Sequence, residues 1–244
     1  MTRRCGAHGG MSDKRLSIGV LSSHEGTNLQ TIIDACKEGR LLARVRLVVC
    51  NNSGAMAIER ARREGIPFKH ISGRTHPDRH KLDAAIASVL EEHGVELVVL
   101  AGYMKKLGSR TLGRYRRRVL NIHPALLRRF GGEGMYGRRV HEAVLESGDS
   151  VSGVTVHLVD EEYDHGPIVA QRKVPVLVDD TPESLAARVL DQEHAFYPET
   201  LQMIAAGEID LDRLPAQDYE ALDGSESRAD PAERKTPQRA ESRQ

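Results

Sequence analysis

The sequence has no surplus of either charge: 35 Lys and Arg stand against 35 Asp and Glu, a formal net charge of zero. A chain without a basic excess is not built around nucleic acid or an anionic membrane as its main partner, so any anion must be bound locally. C-x-x-C pairs are missing too. Cys5, Cys36 and Cys50 are odd in number and far apart, which argues against a zinc or dithiol site and suits a reducing cytoplasm. No apolar run approaches the roughly 20 residues of a membrane span. The opening MTRRCGAHGGMSDKRLS holds polar and glycine residues where a signal peptide needs an apolar stretch. The expectation is a cytoplasmic protein with neither nucleic acid nor membrane as partner.

Several catalytic signatures are absent as well. No G-x-G-x-x-G follows the first strand, where Ser23 and His24 stand in place of glycines, and there is no Walker A lysine, no G-x-S-x-G elbow and no H-E-x-x-H. A dinucleotide fingerprint, a P-loop, a serine hydrolase and a zincin are thereby set aside. If the chain catalyses a group transfer, its nucleophile is expected to arrive on a substrate.

What is present, over 244 residues, is enough chain for a substantial core. Residues 1–14 are glycine-rich and basic, include a second methionine at Met11, and are expected to be a disordered extension. Residues 218–244, rich in charge, Ser and Pro, are expected to be a disordered polar tail. The domain is placed at 15–217. Within it, short β-branched runs at 16–21, 45–50, 66–71, 95–102 and 118–122 alternate with amphipathic stretches at 28–39, 55–65 and 78–94. That alternation predicts an α/β fold: a mostly parallel sheet with helices on both faces. Gly39, Gly65 and Gly94 close the three helices as left-handed caps. The later part predicts a helix over 141–148, a β-hairpin from 151–160 and 167–176, and a last helix over 182–207.

Three places carry candidate chemistry. Gly26-Thr27-Asn28, between the first strand and its helix, can cradle a phosphate on unpaired N–H groups, or Thr27 or Asn28 can simply cap the helix. Asn121 and His123, two apart at the end of a strand, should point to one side and offer donors to a carbonyl oxygen that gains charge. The plainer alternative for His123 is a hydrogen bond to a backbone carbonyl. Asp164, ahead of His165-Gly166-Pro167, should be fixed by a tight turn and could keep His123 protonated. It could equally belong to a solvated acidic loop. His157, Asp160, Glu161, Glu162, Asp164 and His165 form a weaker candidate for a metal, without a recognised ligand spacing; none is assigned.

The motifs GTNLQ, LAGYMKKL, LNIHPALL, GVTVHLVDEEYDHGPI and QEHAFYP, in this order between about Ser17 and Leu214, together resemble the glycinamide ribonucleotide transformylases, folate-dependent formyltransferases of purine biosynthesis. The resemblance implies a single-domain, Rossmann-like formyltransferase fold and formyl transfer from 10-formyltetrahydrofolate to the amine of glycinamide ribonucleotide. The folate is then a co-substrate, no cofactor is bound permanently, and the protein is a monomer or homodimer. It implies Asn121, His123 and Asp164 as catalytic residues, and Gly26, Thr27, Asn28 and Glu193 as contacts to glycinamide ribonucleotide. Folate is expected against Arg79, Met104, Lys105, Lys106, Leu107, Asp160, Glu161, Glu162 and Tyr163. Methionyl-tRNA formyltransferases carry a further C-terminal barrel and formyltetrahydrofolate deformylases an N-terminal regulatory domain, so the chain is expected to be neither.

The chain departs from the family pattern in four respects. His24 and Glu25 replace the usual Gly-Asn, Arg128 stands where a proline is usual, the glycine-rich segment after it is longer, and Lys105-Lys106 is more basic. The segment 128–140 is expected to order over the substrate phosphate, with Arg128 or Arg129 close by. The alternatives are a formyltransferase for another amino sugar or nucleotide-sugar amine, a formyltetrahydrofolate hydrolase, and a non-catalytic folate-binding module.

Overall fold

The computed structural model describes residues 15–215. The expectations for 1–14 and 218–244 lie outside them. Seven strands form one sheet in the order β3-β2-β1-β4-β5-β6-β7. β1 (Leu16–Ser22), β2 (Ala43–Cys50), β3 (Phe68–His70), β4 (Leu97–Leu100) and β5 (Val119–His123) run parallel. β6 (Val151–Leu158) and β7 (Ile168–Pro175) add an antiparallel hairpin at one side. The α/β domain expected from the sequence is therefore the one observed.

Alternation along the strands divides the core between two faces. Ile18, Val20, Val48, Val99, Leu120 and Ile122 pack on one side. The helices there are α1 (Thr27–Lys37), α2 (Met56–Arg63), α5 (Arg138–Glu146) and α6 (Pro182–Ala205). Leu21, Leu47, Val49, Val98 and Leu100 face the other side and meet α3 (Arg79–Glu92) through Ile86, Val89 and Leu90. Buried on both faces, the central strands read as nearly continuous apolar runs. The chain changes face between β1 and β4, and an open sheet of this kind binds ligands outside the carboxyl ends of its strands at that switch point. Gly39, Gly65 and Gly94 take the left-handed backbone foreseen for them.

Two elements differ from expectation. Helix α5 begins at Arg138, three residues before position 141, because Gly137 turns the chain into it at φ +58. A short helix α4 (Ser109–Arg114) occupies what reads in sequence as a plain basic segment. Its first turn is satisfied from another helix: the Asp83 carboxylate of α3 accepts the N–H of Arg110 at 2.8 Å and of Thr111 at 3.2 Å, and the Thr111 hydroxyl at 2.5 Å. This carboxylate does for α4 what a local N-cap does elsewhere, and an anion suits that helix end. It also anchors the loop between β4 and α4, one wall of the site below. Asp83→Ala leaves the N–H groups of Arg110 and of buried Thr111 without a partner, while the Thr111 hydroxyl keeps the main-chain carbonyl of residue 83 at 3.2 Å. It should cost about 2–4 kcal/mol by urea unfolding, the range for losing a buried charged hydrogen-bond partner; a loss under 0.5 kcal/mol would remove this cap from the account of α4.

Candidate active site

The turns after β1 and β4 meet at the switch point. The Ser23 N–H donates to the Gly102 carbonyl at 3.1 Å, and the Met104 N–H donates to Ser23 Oγ at 2.8 Å. His24 and Glu25 are held by α2: the Ala57 N–H donates to the His24 carbonyl at 3.1 Å and Arg60 Nε to the Glu25 carbonyl at 2.8 Å. Gly26 follows at φ +66, with Ala57 so near that a Cβ would come within 2.8 Å of the alanine Cβ. Backbone conformation and crowding both require glycine there. Thr27 and Asn28 do not cap the helix, because Gly26 is the N-cap and no side chain takes part. The first-turn N–H groups consequently stay available to an anion.

Asn28 points elsewhere. Its Nδ2 donates to Glu193 Oε2 at 2.8 Å, and its buried Oδ1 has no partner. Glu193 is itself buried on α6, and burial pushes its carboxyl up to about 7, with the Asn28 hydrogen bond pulling the other way. Beside it lies a cavity of about 370 Å3 lined by Pro124, Gly137, Arg138, His141, Val189 and Glu193. The imidazole of His141 in this lining is buried and its Nδ1 unpartnered, as is Oδ1 of Asn28, which bonds the lining residue Glu193. His141 was not singled out in the sequence, since a lone histidine on a helix carries no signal. A larger open cavity, about 660 Å3, lies at the opposite end of the strands, lined in part by Lys37, Arg44 and Arg46. Such cations complement the negative ends of α1 and α2, and the site is assigned instead to the switch-point side.

At the carboxyl end of β5, Asn121 and His123 reach one carboxylate with help from the neighbouring strand. Antiparallel pairing sets His157 opposite Asn121. Asn121 Nδ2 lies 3.1 Å from His157 Nε2, which is 3.4 Å from Asp164 Oδ1; His123 Nδ1 is 3.5 Å from Asp164 Oδ2. The Gly132 N–H donates to Asp164 Oδ2 at 3.0 Å. Asp164 takes φ +53 and its side chain is only 11% exposed, so the carboxylate is fixed and not part of a solvated loop. Burial pushes its pKa up, but His157, the charge of His123 and the Gly132 N–H outweigh burial and hold it below the usual range. His157, weighed in sequence only as a metal ligand, is thus a member of this cluster; alternation along β6 could have found it once Asn121 was chosen.

His123 departs from expectation. Burial dominates and lowers its pKa, although Asp164 and the Phe130 carbonyl both act to raise it. Its neutral form is therefore the favoured one, and Asp164 does not keep it protonated. The Phe130 carbonyl can only accept, and at 2.6 Å it is the closer partner, so in the neutral ring Nε2 carries the hydrogen and donates to it, leaving Nδ1 without one 3.5 Å from Asp164. The plainer reading of this histidine is thus also present: it does hydrogen-bond a backbone carbonyl.

The remaining expected contacts form two exposed walls. Met104, Lys105 and Lys106 follow β4, and Glu161, Glu162 and Tyr163 lie in the acidic turn; Lys106 Nζ stands 5.5 Å from the centre of the Tyr163 ring, bridging the two. Asp160 Oδ2 engages His165 Nδ1 at 2.7 Å. Arg79 is exposed at the start of α3. Leu107 differs, because its side chain is buried with Tyr103 and Val159 in the core and supports the wall from behind. Arg128 and Arg129, expected near a phosphate, are turned away: Arg128 bonds the main chain of residues 164–166, and Arg129 pairs with Asp149 at 2.7 Å. Among the described residues no group of His, Cys, Asp and Glu is arranged to hold a metal ion.

The sheet thus carries an anion-ready turn after β1 and, at the carboxyl end of β5, a carboxylate from the β6–β7 turn bracketed by two imidazoles. Residues 16–201 match the family model for formyl transferase, and the chain belongs to that family. It is 38% identical to the phosphoribosylglycinamide formyltransferase of Escherichia coli (strain K12) over 84% of this chain and 99% of that one. It is 42% identical to the chloroplastic enzyme of the same name from Arabidopsis thaliana, over 78% of this chain and 66% of that one. The crystal structure of glycinamide ribonucleotide transformylase 1 from Symbiobacterium toebii superposes with a TM-score of 0.74 at 44% identity, covering 79% of this chain and 89% of that one. Within the formyl transferases, this chain's place is among the phosphoribosylglycinamide formyltransferases. It spans only 20% to 66% of the length of four plant and animal relatives.

The buried Glu193 carboxyl makes a pH prediction. Its pKa is about 7 in the folded protein against 4.5 for the ordinary group, so the folded state holds the proton more tightly. That contribution to stability is complete below about 4.5 and lost as the pH rises through about 7, amounting to roughly 3 kcal/mol. Glu193→Gln should therefore gain stability relative to the parent between pH 5 and pH 8, roughly. Thermal unfolding of both proteins across that span measures it; parallel curves would show that Glu193 does not titrate there.

Proposed function

We propose that the protein transfers the formyl group of 10-formyltetrahydrofolate to the amine of glycinamide ribonucleotide, as a step of purine biosynthesis. The observation that carries this reading is the Asp164 carboxylate held between His123 and His157 beside Asn121, at the carboxyl end of β5. The relatives named for this activity support the choice of substrates.

The substrate phosphate rests on the first-turn N–H groups of α1, at Gly26-Thr27-Asn28, where the helix end favours an anion. Glu193 and Asn28 orient the glycinamide part, and ionised Glu193 attracts its amine. The folate lies between the Met104–Lys106 wall and the 160–163 turn, with Arg79 toward its acidic tail. The neutral amine attacks the formyl carbon, a new C–N bond forms, and the formyl oxygen gains negative charge. Asn121 and the His123 Nε2–H donate to that oxygen, which takes the place now held by the Phe130 carbonyl. Asp164, ionised because its pKa is held low, accepts the proton from the attacking nitrogen through water. The same proton goes to N10 of the folate as its bond to the formyl carbon breaks. Every step is carried by side chains and substrates, so the folate serves as co-substrate and no resident cofactor takes part. We place the enzyme in the cytoplasm, as a monomer or homodimer; no helix among the described residues is long and apolar enough to cross a membrane.

The decisive assay follows conversion of 10-formyltetrahydrofolate to tetrahydrofolate with and without glycinamide ribonucleotide. Turnover should require the amine. Turnover without it would mark a hydrolase, turnover only with another amino sugar would replace the substrate, and no turnover with any amine would mark a binding module. In the active enzyme His123→Ala and Asp164→Asn should each lower kcat by about 10²–10³, the effect of removing an oxyanion donor or its support; activity within threefold of the parent for either would remove that residue from the mechanism.

A further inference from the structure

Asp164 sits at φ +53, a conformation that a residue with a side chain rarely adopts and that its surroundings must therefore enforce. Part of the enforcement is steric. Gly166 lies so tightly on the Leu158 carbonyl that no Cβ fits, which fixes the far end of the turn. The rest comes from one guanidinium. Arg128 Nη1 donates to the carbonyls of Asp164 at 3.1 Å and His165 at 2.6 Å, and Nη2 donates to the carbonyl of Gly166 at 3.1 Å.

Arg128 is itself anchored. The Leu127 N–H donates to Thr155 Oγ1 at 3.1 Å, and the Thr155 hydroxyl donates to the Ala125 carbonyl at 2.7 Å. Gln171 Nε2 adds a bond to the Leu127 carbonyl at 3.1 Å. The guanidinium thus links a backbone pinned to β6 and β7 with the turn that presents the carboxylate. Its planar fork of five donors spread over three nitrogens can meet three carbonyls at once; an ammonium, whose three donors radiate from one nitrogen on a flexible stem, does not reproduce that geometry.

We infer that Arg128 is a positioning residue for formyl transfer: it grips the main chain of residues 164–166 and thereby holds the Asp164 carboxylate against His123 and His157. The inference rests on the catalytic role proposed for Asp164. It replaces the role that sequence suggested for this arginine, a contact to the substrate phosphate, because the guanidinium is directed at the carbonyls of the acidic turn.

The test uses the full chain with Arg128→Ala and Arg128→Lys, together with Asp164→Asn and the Asp164→Asn/Arg128→Ala double variant. Arg128→Ala should lower kcat by about 10- to 100-fold, the cost of letting a catalytic group move by up to about 1 Å. The KM for glycinamide ribonucleotide should stay within about threefold, since uniform binding is untouched. Arg128→Lys should recover only part of the loss, and millimolar methylguanidine should raise the kcat of Arg128→Ala. On the Asp164→Asn background, removing Arg128 should cost under about twofold, because residues acting through one another are not additive. A kcat for Arg128→Ala within twofold of the parent, with Asp164→Asn inactive, overturns the inference alone. So does a loss confined to KM, which would return Arg128 to the phosphate, or a full additive loss in the double variant. Near-normal Asp164→Asn overturns the reading of Asp164 and the inference with it. If Arg128→Ala fails to fold, Arg128→Gln carries the same comparisons.

Discussion

The site depends on keeping a carboxylate charged where little water reaches it. Asp164 is nearly buried, and burial alone would drive it toward the protonated acid. His157 on β6, His123 on β5 and the Gly132 N–H oppose that, and together they prevail. Two of the three, His123 and Gly132, are more than 30 residues from Asp164 in sequence. Once buried, the carboxylate therefore stays ionised only because the antiparallel hairpin has paired with β5 and the glycine-rich segment after β5 has closed on the turn. Sheet pairing and active-site electrostatics are one constraint.

The same economy governs the walls of the cleft. The loop after β4 is tied to the turn after β1 through Ser23 and stopped at its far end by α4, whose first turn is satisfied by Asp83 from another helix. The Tyr197 hydroxyl, fully buried on α6, lies 3.2 Å from both the carbonyl of Leu100, the last residue of β4, and that of Leu120, one residue before Asn121 in β5. Four residues earlier on the same helix, Glu193 meets Asn28. Helix α6 thus fixes the heights of β4 and β5 relative to α1, with one ring and one carboxylate a helical turn apart.

Much of this was legible in the sequence because it rests on local rules. The period-2 and helical patterns gave the sheet and its layers, the glycines gave the helix ends, and the spacing of Asn121 and His123 gave a shared side. What escaped depends on contacts between distant segments. SRTLGR has no apolar stripe of its own, and its helix is capped from α3. His157 stands out only when β6 is laid beside β5 in register. Leu107, expected from the family resemblance beside the folate, turns its side chain inward to the core, which leaves only its main chain to face the cleft. For Arg128 the direction was not readable, because the three carbonyls that take its guanidinium belong to a turn 36 to 38 residues away in sequence.

The state of His123 shows why the balance had to be weighed in the structure. A neighbouring carboxylate argues for imidazolium, whereas burial argues for the neutral ring, and here burial is the larger effect. His157 adds to it, because a second positive charge on the same carboxylate is unfavourable. One anion shared by two imidazoles can support one added proton far better than two. In the reaction we propose, the cluster takes up a single positive charge as negative charge develops on a substrate oxygen at Nε2, and gives it up afterwards. A permanently charged His123 would bind the ground-state carbonyl almost as strongly as the oxyanion and gain less in the difference. A neutral, buried donor already aligned on the Phe130 carbonyl oxygen is the better starting point, since its hydrogen bond strengthens most as charge appears.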